Sequence, residues 1–340
     1  MDVILQTAID ARALGELLDQ SPRMRMALHR ILTNLLLQHS QLVWSDQADT
    51  NELVQALRRQ ADPDVGRLWA ETLKALERSG RMRTLRPGLD LTTGQACDSD
   101  PLASELADAL DLVVVSSSVL DKKGLGATGY GQMPGEPELA ALEAVDSCDS
   151  VRKVRALHAG GGFPSGTDRE TVWRTVMLPL ARASREVTLF DRYLLERFGQ
   201  GSYRANHVSW LIERLDQACA PNSTVRLLCA LNDSHERGTI GSDFEREVIR
   251  APLKNMTVKL VMAPWKAGHG DRGAHNRHLR FSCGMGLAIE EGFDRFGSAR
   301  ISGPDGFALN PLTTADALTR RCDLEEYVTG HPDRAEYVFL

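Results

Sequence analysis

Short apolar runs of strand length recur along this chain, and a segment of helical period stands between most neighbouring pairs of them. That alternation is the strongest constraint on the fold, because strands and helices taken in turn build a parallel or mixed sheet with helices on its faces. In the first half the runs are Val3-Ile4-Leu5, Gln41-Leu42-Val43-Trp44 and Leu112-Val113-Val114-Val115. In the second they are Glu186–Phe190, Thr224–Ala230, Met256–Met262, His275–Phe281 and Leu287–Ile289. The intervening helices are marked at their starts. Ser21-Pro22 supplies an N-cap with proline in the first turn, and Asp49-x-x-Glu52, Thr167-x-x-Glu170 and Ser242-x-x-Glu245 have capping-box spacing. The class predicted is α/β.

At 340 residues the chain has room for two domains at about 150 residues each. The run Gly160-Gly161-Gly162-Phe163-Pro164-Ser165-Gly166 combines glycine, proline and serine in a segment without its own packing. It predicts a linker over 159–166 between an amino-terminal α/β, Rossmann-like domain (1–158) and a second domain (167–340). The charge is uneven. Residues 1–155 carry 17 Lys+Arg against 23 Asp+Glu, and residues 156–340 carry 23 against 23. Neither half is basic enough to hold a duplex by bulk charge, so any nucleic-acid contact has to come from a local patch.

Other classes are set aside in the same way. No window approaches the roughly 18 apolar residues of a membrane span. The amino terminus is acidic where a signal peptide is basic, which predicts a cytoplasmic protein. The six cysteines are scattered without a close pair, as buried thiols rather than a disulfide or zinc framework. Gly124-x-Gly126-x-x-Gly129 matches the dinucleotide pattern in letters, but it falls several residues past the strand and opens no helix. Residues 124–137 are therefore expected to form a mobile surface loop, and no cofactor is expected.

The chemistry concentrates in residues 269–296, HGDRGAHNRHLRFSCGMGLAIEEGFDRF. On a strand, His275 and Arg277 share one face and Arg280 takes the other, because side chains alternate with period two. An arginine offers paired donors to a phosphate or carboxylate, and an imidazole beside it can act as donor, base or nucleophile. His269, His275 and His278 could also be read as a metal cluster. Residues 275 and 278 point to opposite faces, so they do not converge as zinc requires, and no metal is predicted.

Two family resemblances are carried by these residues. Strand, helix and strand with acids near strand ends in the first half resemble the PIN-like nucleases, whose metal-binding acids sit above the carboxyl edge of a parallel sheet. Gln6 follows the first strand where that family has an aspartate, and Ser116-Ser117-Ser118 follow Val113–Val115. Asp10, Glu52 and Asp121 are the acids left. The resemblance thus implies a PIN-like or Rossmann-like fold whose metal site is lost.

The second half resembles the phospholipase-D-like domain found at the carboxyl end of MIT-domain proteins and in bacterial relatives. Asp191-Arg192-Tyr193 is similar to its Asp-Pro-Tyr, and His275-Asn276-Arg277 to its His-Asp-Arg. Gly286 to Asp294 is similar to its glycine-rich Gly-Leu-Asp segment, and Asp316 through Arg321-Cys322 to its Asp-x-Arg-x-Cys tail. These four features cover roughly residues 165–330. Against the H-x-K-x4-D pattern of active phospholipases D, His275 stands, Arg277 replaces lysine and Ser282 occupies the aspartate place. A complete site in that superfamily uses two such motifs, so an active version has to form across a dimer.

The resemblance implies recognition of a phosphate-bearing ligand, most simply a nucleic-acid backbone, by Arg277, Arg280, Asp191, Tyr193, Asp294 and Arg321. It also implies a subunit of a larger prokaryotic assembly, since such modules occur in anti-phage defence systems. A phosphodiesterase or nuclease using His275 with Arg277 is the alternative. Contact with phosphoinositide membranes is a third reading, weakened by the near-neutral second half.

Overall fold

The computed structural model describes residues 4–44, 52–60, 62–84, 110–159, 162–196, 198, 205–231, 238–264, 277–289, 292–303, 306–308, 310–312 and 315–340. It forms two compact units, Met1–Ala156 and Leu157–Leu340. Both are α/β. Among the described residues no helix is long and apolar enough to cross a membrane. His275, His269, the Asp49–Glu52 capping box and residues 85–109 lie outside the described residues or rest on side chains that do.

The first unit is built on a six-stranded sheet of order β3-β2-β1-β4-β6-β5. Its strands are β1 (Leu5–Ile9), β2 (Ser40–Trp44), β3 (Met82–Thr84), β4 (Leu112–Val114), β5 (Tyr130–Gln132) and β6 (Glu138–Ala140). All neighbours are parallel except β5, which runs antiparallel to β6 at the edge. Parallel strands are covered on both faces, and alternate residues here feed two separate cores. Leu5, Ile9, Leu42, Leu112 and Val114 face the helices α2 (Pro22–His39) and α4 (Pro63–Arg78) in one core. Ala8, Val43, Val113 and Leu139 meet Val119 and Leu120 of the short helix Ser117–Lys122 in the other. Ser21 caps α2 by accepting from the Met24 N–H, as its place before Pro22 predicts.

Two expectations for this unit are corrected. The first strand runs from Leu5 to Ile9 rather than ending at Leu5, so Gln6 lies inside it and Asp10 stands at its carboxyl end. The sequence hides this because Gln6 and Thr7 interrupt the apolar run. Thr7 is satisfied within the sheet, its Oγ1 donating to Ser40 Oγ (3.0 Å), and the backbone N–H of Gln6 donates to Asp111 (2.7 Å). Residues 124–137 are not wholly loop either, since Tyr130–Gln132 pairs with β6 in register.

The second unit holds a seven-stranded sheet of order β14-β12-β11-β8-β9-β10-β15. At its centre β8 (Glu186–Phe190), β9 (Ser223–Leu231) and β10 (Met256–Pro264) are parallel. β11 (His278–Phe281), β12 (Met285–Ala288) and β14 (Asn310–Leu312) continue antiparallel on one side, and β15 (Ala335–Phe339) pairs antiparallel with β10 on the other. The strand predicted from His275 thus begins at His278 among the described residues. The long helix Ala315–Gly330 covers Phe190, Leu228 and Val261 through Val328, Leu324 and Tyr327.

Three local expectations also change. Gly162–Phe163 is not a free linker: it forms β7, paired with β13 (Phe307–Ala308), and Phe163 stacks on Phe307 at 6.4 Å. Gly306 makes the approach feasible. Its φ is +69°, and a Cβ there would lie 2.1 Å from the Phe163 carbonyl oxygen. The helix after it is capped by Asp168, which accepts from the Glu170 N–H, while Thr167 donates its hydroxyl to the Pro164 carbonyl. Glu170 instead accepts from Trp210 Nε1 and the Arg214 guanidinium. Ser242 caps nothing, because its helix already begins at Ile240 and its hydroxyl donates to the Thr239 carbonyl.

Candidate functional site

The carboxyl end of β8 and the start of β11 meet at one sheet edge, because His278 pairs with Phe190 in an antiparallel register. The residues just beyond that pair are Asp191 and Arg277. Arg277 Nε lies 3.4 Å from Asp191 Oδ1, with the side chains 16% and 5% exposed. Asp191 also accepts from the backbone N–H of Tyr193 (2.9 Å) and of Phe293 (3.3 Å). One carboxylate therefore ties the turn after β8 to the segment after β12 and holds the guanidinium between them.

That segment requires Gly292. Its φ of +96° disfavours other residues, and a Cβ would come within 2.5 Å of Asp294 Oδ1 and 2.8 Å of Arg277 Nη1. Asp294 and Arg277 therefore converge on the same bare stretch of backbone. The guanidinium of Arg277 sits 5.2 Å from the Tyr193 ring, and that of Arg192 lies at the same distance from it. Such cation–π contacts are worth roughly 0.5–1 kcal/mol at partly exposed sites and orient the cation more than they bind it.

Burial pushes the Asp191 carboxyl above the ordinary aspartate range, against the pull of Arg277 and of the two backbone donors, and Asp294 adds to the rise. A second group was missed in the sequence. His207, in the first turn of helix Asn206–Ala218, is 4% exposed with its ring 6.2 Å from Phe293. Burial lowers its pKa, while Asp294 and a hydrogen bond with the Leu194 backbone oppose that shift. Four residues before Leu211 it lies on the helix's apolar stripe, where a histidine reads as core. Beneath the cluster, Phe293 and Phe296 (5.0 Å) stack with Trp210, and Phe307 meets Phe296 edge-on, so the edge rests on an aromatic floor.

The structure gathers Asp191, Tyr193, Arg277 and Asp294 as the sequence reading grouped them, but it does not bring Arg280 to them. Arg280 binds Glu325 through both ends of its fork (2.7 and 2.6 Å), and His278 Nε2 meets the same carboxylate at 3.0 Å. Burial by itself would raise the Glu325 pKa, but the bonds from Arg280 and His278 outweigh it and the net shift is down. His278 is fully buried and stacked on Phe190 at 5.1 Å, which is a packing role rather than a metal ligand's. Among the described residues no cluster could hold a metal ion. Arg321 belongs to the helix that carries Glu325, one turn before it.

Ser282, the counterpart of the aspartate in H-x-K-x4-D, stands at the far end of β11. Its hydroxyl accepts from the Arg185 and Glu186 N–H groups (3.0 and 3.2 Å). Five residues of extended chain separate it from Arg277, about 17 Å. No protein-family model matches the chain, and a search of the curated proteins returns no match.

Proposed function

We propose that the second unit recognises a phosphate-bearing ligand, most simply a nucleic-acid backbone, at the edge shared by β8 and β11. The observation that carries this reading is the Asp191–Arg277 pair: a planar donor fork held at a sheet edge by a buried carboxylate and an aromatic ring. Pre-orientation lowers the entropy lost when a flexible arginine grips an anion. Arg192 adds a second cation, and the sequence just before Arg277 holds Lys266, His269, Arg272 and His275. Binding is favoured over cleavage by the position of Ser282, which offers the His275 end of the motif no orienting acid. A binding module of this kind fits a subunit of a larger prokaryotic assembly, as the resemblance to phospholipase-D-like domains implies.

The test is a cleavage and gel-shift assay on single- and double-stranded DNA and RNA, with and without EDTA, for Arg277→Ala and His275→Ala. Loss of a charge-assisted contact worth ~1.5–3 kcal/mol should weaken binding roughly 10- to 100-fold in Arg277→Ala, with a smaller effect in His275→Ala. Robust cleavage that depends on His275 would replace this reading with the phosphodiesterase alternative.

A further inference from the structure

The first unit contains a groove of about 600 Å³, inside the ~300–1,000 Å³ range of small-molecule sites. One wall is the helix Ala11–Gly15 with the turn Glu16–Asp19, and the other is the end of helix Glu52–Arg58 with Arg59 and Gln60. Because Ala11 follows Asp10 directly, the groove opens beside the carboxyl end of β1, the edge at which open parallel sheets take their ligands. Its emptiness is not imposed by the backbone. Gly15 is helical (φ −62°, ψ −41°), and nothing lies within 4 Å of where its Cβ would be.

The polar groups at the rim differ in what already holds them. Asp10, fully buried, grips Arg12 Nε (3.0 Å) and Nη2 (2.8 Å), which fixes the direction of that guanidinium. The Glu16 carboxylate accepts the Ser117 N–H (3.0 Å) and hydroxyl (3.1 Å), so it serves as a fastened wall. Arg59 and Asp19 are exposed on opposite walls. A ligand entering meets an oriented arginine, an exposed arginine across from it, and a carboxylate that accepts hydrogen bonds.

We propose that this groove binds a small phosphomonoester with a hydroxyl-bearing body, either a sugar phosphate or a mononucleotide. The phosphate lies between Arg12 and Arg59, hydroxyls donate to Asp19, and the body rests over Gly15 and Ala56. The site is separate from the β8–β11 edge.

The experiment is calorimetric titration of the full chain with inorganic phosphate, ribose 5-phosphate, 5′-AMP, ribose and adenosine. Ribose 5-phosphate or 5′-AMP should bind with a dissociation constant of about 1 mM or tighter, at least tenfold better than its unphosphorylated counterpart. The tighter of the two identifies the source. Gly15→Leu, which suits the helix and fills the groove, should abolish binding without lowering the thermal midpoint. Arg59→Ala, exposed and harmless to the fold, should weaken binding about tenfold or more. Arg277→Ala, which removes the cation of the β8–β11 edge, should leave in place the part of the binding that depends on Arg59. Binding that survives both Gly15→Leu and Arg59→Ala, equal binding of ribose and adenosine, or no binding of any phosphorylated probe overturns the proposal.

Discussion

Removing the cation and removing the anion of the Asp191–Arg277 pair should have unequal effects on the second unit. Burial raises the Asp191 carboxyl even though Arg277 and the N–H groups of Tyr193 and Phe293 all pull it down. The ionised carboxylate is therefore tolerated rather than favoured, and Arg277 is first among the groups that make it tolerable. Arg277→Ala leaves a nearly buried charge without its cation, a change that costs about 3–5 kcal/mol in comparable pairs. Asp191→Asn removes the charge, keeps an acceptor for the Tyr193 N–H and loses the Phe293 bond, for about 1 kcal/mol. At about 2–4 °C per kcal/mol for a unit of this size, the thermal midpoints should fall by roughly 6–20 °C and 2–4 °C respectively. The double variant should be more stable than Arg277→Ala alone.

The pH dependence follows with a definite sign. A carboxyl whose folded pKa is raised contributes stability below its unfolded value and loses it as pH rises through the folded value. The deficit of Arg277→Ala should accordingly shrink as pH is lowered toward the ordinary aspartate value of 3.8, and that of Asp191→Asn should not. Thermal denaturation, with hydrogen exchange read on the β8 amides, measures both. Asp191→Asn costing as much as Arg277→Ala at neutral pH, or strict additivity in the double variant, would refute the reasoning. On binding the order is kept: Arg277→Ala should weaken phosphate affinity most, and Asp191→Asn, which removes the carboxylate that orients the guanidinium, should weaken it less.

The alternation of strand and helix was legible because buried strands of parallel type leave dense apolar runs, and β4, β8, β9 and β10 fall where those runs are. What hid β1 was chemistry at a distance. Thr7 looks unlike a core residue until Ser40, far off in sequence, supplies the partner of its hydroxyl, and the backbone of Gln6 is held by Asp111. The same holds for Gly162–Phe163, whose composition reads as a linker and whose pairing with Phe307–Ala308 depends on Gly306 much later in the chain. The capping box at Thr167 was misjudged by one residue for a local reason: Asp168 competes with Thr167 for the same helix start, and an aspartate accepts without having to orient a hydroxyl.

At the candidate site the sequence supplied the names but not the partition. Arg277 and Arg280 are three residues apart, and period two alone assigns them to opposite faces. It does not say that Glu325, 45 residues later, waits for Arg280 on its face, or that Asp191 waits for Arg277 on the other. Identical side chains thereby take different duties. Arg280 is held in a bidentate pair that raises its pKa further and locks the helix Ala315–Gly330 onto the sheet, while Arg277 approaches Asp191 at 3.4 Å beside the Tyr193 ring. The two arginines are about equally exposed, 16% and 19%, and their carboxylates equally buried, 5% and 6%, so the geometry of the pair rather than its exposure distinguishes them.

Gly292→Ala should disturb the site while leaving every charged residue in the sequence, because the added Cβ collides with Arg277 Nη1 and Asp294 Oδ1 at a φ of +96°. A loss of phosphate affinity comparable to that of Arg277→Ala, roughly tenfold, is expected in the gel-shift assay, and unchanged affinity would show that Arg277 is not the anchor. In the first unit, acid sensitivity should trace to His29. Fully buried, it accepts the Trp69 Nε1–H at Nδ1 (3.0 Å), so it must be neutral with its proton on Nε2. Burial lowers its pKa, Arg25 lowers it further, and Gln60 and Asp62 resist. A histidine with a depressed folded pKa contributes stability above its unfolded value of about 6.5, and the unfolded chain takes the proton first as pH falls below that. The slope cannot exceed about 1.4 kcal/mol per pH unit for one site. His29→Gln keeps an acceptor for Trp69 and cannot titrate, so its urea midpoint for the first unit should change less between pH 7.5 and 5.5 than the wild type's. Equal changes in the two proteins would assign the acid sensitivity elsewhere.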